Sequence, residues 1–326
     1  MSDPAPNLDV VRIGHVVLGV TDLASARHFY CGLLGMNVLH EAPESLYLRG
    51  VEDREWTLKL EVGPVPSVRQ FGFKVGSDAA LDRLEALARA EGLTSRRESE
   101  RDRPSILRID DPFGFPMTFY YQSVRHPWLL QRYDLHRGPG ITRIDHINLF
   151  CPTVAAMSSW YQQRLGFRLT EYTEDKDGVT WAAWLHRKGN VHDLAITNGT
   201  GPRMHHFAYF LPDGARVTQM CDILAGAHAE RYIERGPGRH GISNAFYLYL
   251  RDPDGHRIEL YTSDYLTVDP DFEPIRWDRD DIRRQQLWGG PAPKSWFTEG
   301  SLVESSDGTS APTRDSELSS IPTYIS

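Results

Sequence analysis

The sequence predicts an α+β fold in which one small unit of strands and helices is used twice. The stretch RIGHVVLGVTDL from Arg12 and the stretch RIDHINLFCPTV from Arg143 both open with Arg-Ile-x-His, and each runs as an apolar strand into a Thr and a helical pattern. His15 and His146 lie 131 positions apart (146 − 15), and so do Gly35 and Gly166 (166 − 35), which close the helices that follow. Further on, DDPFGFPMTFYY around Asp111 is echoed by RDPDGHRIELYT around Asp252, each an Asp-Pro-x-Gly turn into a strand. The offset there is 141 (252 − 111), so the second copy is longer in its middle.

Taken in order, residues 1–11 read as an N-terminal arm and 12–122 as the first copy. A connector, 123–142, contains RHPWLLQRYDLHRGPG, and 143–263 is the second copy. Helices are predicted at 22–34, 79–90, 153–165 and 215–227, where apolar residues recur three and four apart. FAYFLP, AFYLYLRD and RIELYT have the aromatic and β-branched content of strands. Residues 264–298 hold Trp277, Trp288, Trp296 and several Pro, the composition of a lid segment packed across the surface without regular structure. Residues 299–326, with eight Ser and almost no patterned apolar run, read as a flexible tail.

The 326 residues carry 36 Lys+Arg against 44 Asp+Glu, a net charge of −8, with 40% apolar residues. These proportions suit a sizeable core in two domains. The acid excess argues against a nucleic-acid partner, and there is no polybasic signal for a membrane surface. No apolar run is long enough to span a bilayer, and MSDPAPNLDV lacks the basic and apolar regions of a signal peptide, so a soluble cytoplasmic protein is expected. Cys31, Cys151 and Cys221 are odd in number and scattered, which offers neither a disulfide framework nor a thiolate metal site. Any metal must be held by His and carboxylates.

The two copies differ where such ligands would sit. In the second, His146 lies in the opening strand, His206 in MHHFAYF and Glu259 in HRIELY, each flanked by apolar residues that put it on an enclosed sheet face. Burying two imidazoles and a carboxylate is costly unless they bind something together. The corresponding residues of the first copy are His15, Gln70 and Thr118, so the fold does not require the set. Two His and one carboxylate from three strands is the composition of a facial triad, which leaves three metal positions open for non-haem Fe(II) and oxygen chemistry. Alternation along the strand sends His205 to the face opposite His206. His15 alone reads as a core histidine.

The repeated units resemble the vicinal oxygen chelate, or glyoxalase-like, superfamily. More closely, RIDHIN, WAAWLHRKGNVHD, GPRMHHFA, IERGPGRHGISNAFYLY and DPDGHRIELYT resemble the type I extradiol ring-cleaving dioxygenases, particularly homoprotocatechuate (3,4-dihydroxyphenylacetate) 2,3-dioxygenases. The likeness runs from about Arg12 to Trp296. It implies paired βαβββ modules in two tandem domains, with the N-terminal domain non-catalytic, and a homotetramer. It also implies a metal held by His146, His206 and Glu259, with Fe(II) expected and Mn(II) as the alternative. The reaction implied is extradiol cleavage by O2 of a para-substituted catechol, with 3,4-dihydroxyphenylacetate giving 5-carboxymethyl-2-hydroxymuconate semialdehyde.

By the same resemblance, His192 in GNVHD is the acid/base near oxygen, Tyr249 in FYLYL bonds the substrate oxygen, and His240 in GRHG is a further pocket histidine. Asn148 and Trp184 align with pocket residues near oxygen and the ring. Arg235 matches an Arg that meets the substrate's carboxylate, a good partner for a planar guanidinium, and Trp296 a lid residue near that end. The family has another carboxylate-binding Arg where this sequence reads IRRQQLW, so that Arg284 and Gln285 both compete for the position. Gln285 there would favour another para-substituted catechol. A non-oxygenase metal enzyme and a drug-sequestering binding protein of the same superfamily are the rival readings.

Overall fold

The structure is a computed structural model that describes residues 9–325. Of the expected N-terminal arm, residues 1–8 lie outside the described residues, and Val10 already belongs to the first strand, Val10–Val20.

Each copy folds as one strongly curved mixed sheet with helices on its outer face. In the first, eight strands follow the order Asn37–Ala42, Ser45–Arg49, Leu58–Val62, Val10–Val20, Ser67–Val75, Pro116–Tyr120, Arg103–Asp110 and Ser95–Glu100. The second repeats that order strand for strand, from Arg168–Glu174 through the central pair Arg143–Cys151 and Arg203–Phe210 to Ile233–Arg239. In both, the central pair is antiparallel and its outer neighbours are parallel to it. Each sheet thus bends around a funnel whose inner face is lined by alternate residues of the central strands.

The helices fall where the periodicity placed them, at Asp78–Ala90, Val154–Leu165 and Gly214–Gly226. The first predicted helix is a short α-helix, Leu23–Arg27, continued by the π-helical turns of His28–Leu33. Asp22, Ser77 and Asp213 cap helix starts by accepting from backbone N–H groups. Gly35 and Gly166 end their helices with φ of 75° and 70°, a conformation a side chain would strain. A Cβ on Gly35 would also stand 2.5 Å from the Arg137 carbonyl.

The two modules share one apolar core and exchange contacts reciprocally. The Tyr30 hydroxyl donates to Asp252 Oδ2 (2.8 Å), and the Tyr161 hydroxyl to Asp111 Oδ2 (2.7 Å). Both acceptors are the Asp of the Asp-Pro-x-Gly turns, and each also caps its own turn through Oδ1. Likewise the Ile13 N–H donates to Asp193 (2.8 Å) and the Ile144 N–H to Asp53 (3.3 Å). The halves therefore meet about a pseudo-twofold axis, as two subunits of a dimer would.

Two C-terminal expectations change. The segment 264–298 does contain regular structure, since Ile275–Asp278 adds a parallel edge strand beside Arg168–Glu174 and Lys294–Thr298 forms a helical turn that buries Trp296 and Phe297. Residues 299–325 are not a free tail. Ser301–Leu302 pairs with Arg203–Phe210, Val303 and Ala311 are buried, and the Ser319 carbonyl accepts from Trp181 Nε1 and Asn198 Nδ2. A few well-placed apolar residues suffice to dock a Ser-rich segment whose backbone finds partners. Among the described residues no helix is long and apolar enough to cross a membrane.

Candidate metal centre

His146, His206 and Glu259 converge in the second module's funnel, all buried. Glu259 Oε2 lies 2.9 Å from His146 Nε2 and 3.2 Å from His206 Nε2, and the two Nε2 atoms are 3.3 Å apart. Three ligand atoms at about 2.1 Å from one ion and mutually perpendicular would lie about 3.0 Å apart. The triangle therefore has the size of one face of a metal octahedron, and the donor set fits Fe(II) or Mn(II).

Two β-bulges orient these ligands. Between Ala208↔His146 and Tyr209↔Ile144 the register slips by one, so Asp145 is an extra residue in its strand and its side chain stays beside His146. The His146 Nδ1–H donates to Asp145 Oδ2 at 3.0 Å, leaving Nε2 unprotonated for an ion. Asp145 in turn accepts from the Tyr261 hydroxyl (2.5 Å) and Asn190 Nδ2 (3.1 Å). Burial opposes its charge, but Lys188 and His146 hold it well below the usual carboxylate range.

The second bulge falls between Met204↔Leu149 and His206↔Asn148 and makes His205 the extra residue. Strict alternation, which sends His205 to the opposite face, fails here. Its Nε2–H donates to the Trp296 carbonyl (2.9 Å), so its Nδ1 can accept from the His206 Nδ1–H at 2.6 Å. His206 is thereby locked with Nε2 facing Glu259. Burial depresses His206 to about 4, which keeps it neutral; Asp145 and Glu259 raise His146 against burial, and a second proton on its Nε2, which an ion would displace, holds Glu259 anionic.

The remaining expected residues line or flank the same pocket. His192 lies with its ring centre 3.9 Å from that of His146, and its buried Nδ1 has no hydrogen-bond partner. Burial, aided by His146, depresses its basicity strongly. The Tyr249 hydroxyl is 3.0 Å from His240 Nε2, and His240 Nδ1–H donates to the Gln285 carbonyl. Burial and Arg235 push His240 down to about 3 and burial pushes the Tyr249 phenol up, so both are neutral and Tyr249 is the donor. The Asn148 amide oxygen accepts from Thr197 Oγ1 (3.0 Å), and Trp184 forms a wall.

Trp296 is buried against Tyr249 and His205, with the Arg235 guanidinium 4.6 Å from its ring centre. Arg235 donates to the Gln285 carbonyl through Nη2 and leaves Nε and Nη1 without partners. Arg284 is 1% exposed, stacks on Trp181, lines the pocket and has an unpartnered Nη2. Gln285 lines it too, its Oε1 accepting from the Tyr324 hydroxyl (3.1 Å). Arg283, by contrast, is a surface residue paired with Asp281.

Sequence reasoning missed Glu171. Buried in the strand Arg168–Glu174, it accepts from the Ser243 N–H (2.7 Å), the Tyr265 hydroxyl (2.5 Å) and Trp277 Nε1 (2.5 Å), and so ties segment 264–298 to the second sheet. The TEYTE context carries no signal of this.

Comparison with known proteins agrees with this geometry. The family described as the Glyoxalase/Bleomycin resistance protein/Dioxygenase superfamily matches residues 12–119 and again 143–260. The crystal structure of homoprotocatechuate 2,3-dioxygenase from Arthrobacter globiformis is similar with a TM-score of 0.92 and 44% identity, covering 96% of this chain and 98% of that one. The metapyrocatechase of Geobacillus stearothermophilus is 30% identical over 91% of this chain and 95% of its own length. The manganese-dependent 2,3-dihydroxybiphenyl 1,2-dioxygenase of Geobacillus genomosp. 3 is 29% identical over 88% and 96%.

Proposed function

From the premise that the chain belongs to the glyoxalase/bleomycin resistance protein/dioxygenase superfamily, as an extradiol ring-cleaving dioxygenase, we propose that its substrate is a catechol with an anionic para side chain. The compound we assign is 3,4-dihydroxyphenylacetate, opened to 5-carboxymethyl-2-hydroxymuconate semialdehyde, with both atoms of O2 retained in the product. The names of its relatives span homoprotocatechuate and 2,3-dihydroxybiphenyl, so the choice rests on this chain's own pocket.

The observation that carries it is the pair Arg235 and Arg284. Both are buried, neither has a carboxylate partner among the described residues, and each keeps unpartnered N–H groups; Arg284 lines the pocket, and Arg235 reaches its edge through the carbonyl of the neighbouring Gln285. Leaving such donors unsatisfied in a dry site is costly, and a carboxylate entering with the substrate would satisfy them. Arg284 supplies the second guanidinium of the segment IRRQQLW, and Gln285 beside it adds a neutral amide, so the anion falls to the two arginines.

The triad would hold Fe(II), or Mn(II) as in the manganese-dependent relative. The bound ion would hold the diol and O2 side by side and pass electrons between them. The chain's residues manage protons. Tyr249 donates to His240 Nε2, so its oxygen is free to accept from a substrate hydroxyl, and once that hydroxyl ionises the phenol O–H can turn from His240 to donate to the diol oxygen. His192 enters the reaction neutral and can take a proton and return it as the O–O bond breaks. Asn148 and Trp184 fix the ring, and Trp296 walls the pocket with Arg235 against its ring.

Oxygen uptake and yellow product should be measured with 3,4-dihydroxyphenylacetate, 4-methylcatechol and catechol, in wild type and Arg284→Ala. Wild type should prefer the acid, and the variant should lose about 10-fold or more in kcat/KM for the acid alone. Equal loss on all three catechols would discard the anionic side chain, and no ring cleavage of any of them would discard the assignment.

A further inference from the structure

A second group of two imidazoles and a carboxylate lies outside the reaction site, in the first module. Among the described residues only this group and the triad bring three such side chains within ligand reach of one another. His40 comes from the edge strand Asn37–Ala42, Asp102 from the turn before Arg103–Asp110, and His126 from the connector. Asp102 Oδ2 lies 2.6 Å from His40 Nε2 and 3.2 Å from His126 Nε2, and all three ligand atoms are within 4.8 Å of one another.

Backbone bonds hold Asp102 and His126 in place. The Val124 N–H donates to the Asp102 carbonyl and the His126 N–H to the Arg54 carbonyl, both at 2.8 Å. Side-chain exposures of 25%, 13% and 19% leave the group half-buried at the funnel mouth, open to an ion and to water.

The position is a latch in both modules. His40 and Glu171 are 131 residues apart (171 − 40), and Asp102 and Ser243 are 141 apart (243 − 102), the two offsets of the repeat. Asp102 and Ser243 also share a positive φ, 67° and 61°. In the second module the latch is a carboxylate accepting from an N–H, a hydroxyl and an indole, none of which is a metal ligand of the borderline class. In the first it consists wholly of imidazole and carboxylate, the ligands zinc prefers after thiolate.

We propose that His40 Nε2, Asp102 Oδ2 and His126 Nε2 form a second metal site, for a zinc-class divalent ion, that staples the two edges of the first sheet to the connector. Ligands at about 2.05 Å in a tetrahedron stand about 3.3 Å apart. The His126 contact already has that spacing, and the half-exposed His40 ring opens the shorter contact by rotating. Water fills the fourth position, and the site carries M(II) plus one carboxylate, a net +1. The assignment is independent of the substrate and of ring cleavage.

The test uses holoenzyme with iron in the triad, exposed to micromolar zinc and then dialysed, with both metals counted per chain. Wild type should retain one zinc and its iron, and gain thermal stability with zinc. His126→Ala and His40→Gln, both at half-exposed side chains, should each retain at least 10-fold less zinc with iron content and ring-cleaving turnover unchanged. Zinc retention in wild type no greater than in both variants would overturn the site and leave a plain hydrogen-bonded latch. Bound Co(II) absorbing as a tetrahedral ion in wild type, and not in His126→Ala, would support it. The same spectrum in both would overturn it.

Discussion

The two modules share one topology, yet among the described residues only the second gathers a triad inside its funnel, and register shows what separates them. Opposite His146 stand Ala208 and, beyond it, Glu259; opposite His15 stand Gly72 and then Thr118. The bulged Asp145 that orients His146 corresponds to the bulged Gly14, where a Cβ would meet the Tyr120 hydroxyl at 2.3 Å. His205 and His206 correspond to Arg69 and Gln70, and Tyr249 to Arg108. The first funnel is filled by the chain itself. Arg103, 1% exposed, lies 3.5 Å from the Trp56 ring centre, 4.0 Å from that of Tyr120, and brings Nη1 within 3.4 Å of His15 Nε2. Its charge is met by Glu100. One module carries a built-in cation where the other collects three ligands and leaves the cation to be supplied.

That contrast can be broken most directly at Glu259. Glu259→Ala leaves two imidazoles without a carboxylate and should abolish tight metal binding at the triad together with turnover, as metal analysis after dialysis will show. Full metal occupancy in that variant would remove the triad. Asp145→Asn sharpens the role of the bulge, since the amide no longer stabilises the Nδ1–H of His146. Metal affinity should fall about 10- to 100-fold with the fold intact, read by competition with a chelator.

The smallest effect concerns Asp53, the first module's buried carboxyl at the interface. Burial pushes it up to about 7 against the nearby Arg12. A carboxyl raised on folding contributes stability that is present below its unfolded value near 4 and is lost as pH rises through about 7. The melting temperature of wild type relative to Asp53→Asn should therefore decline between pH 4 and 8, by a few degrees at most. A flat difference would show that the interface does not titrate.

Much of this was legible in the chain. The 131-residue offset exposed the duplication because strand and helix landmarks repeat together, and the triad stood out because two of its three residues change between copies. Asp145 and His205 escaped because a bulge breaks the period-two rule without leaving a compositional trace. Glu171 escaped for another reason. Its burial depends on segment 264–298, whose docking uses backbone groups and scattered apolar residues, so that it looks like a surface charge in sequence. The seemingly free tail was misjudged on the same ground.

The reciprocal bonds of Tyr30 to Asp252 and Tyr161 to Asp111 have a consequence for inheritance. Each half steadies one of its turns with a hydroxyl lent by the other, so a substitution that loosens a helix in the first half is felt in the turn that leads into the Glu259 strand. The half without the funnel triad is thus exposed to selection on the half that has it. It cannot drift freely or be discarded, and the descendants of an ancient pair remain bound to vary together.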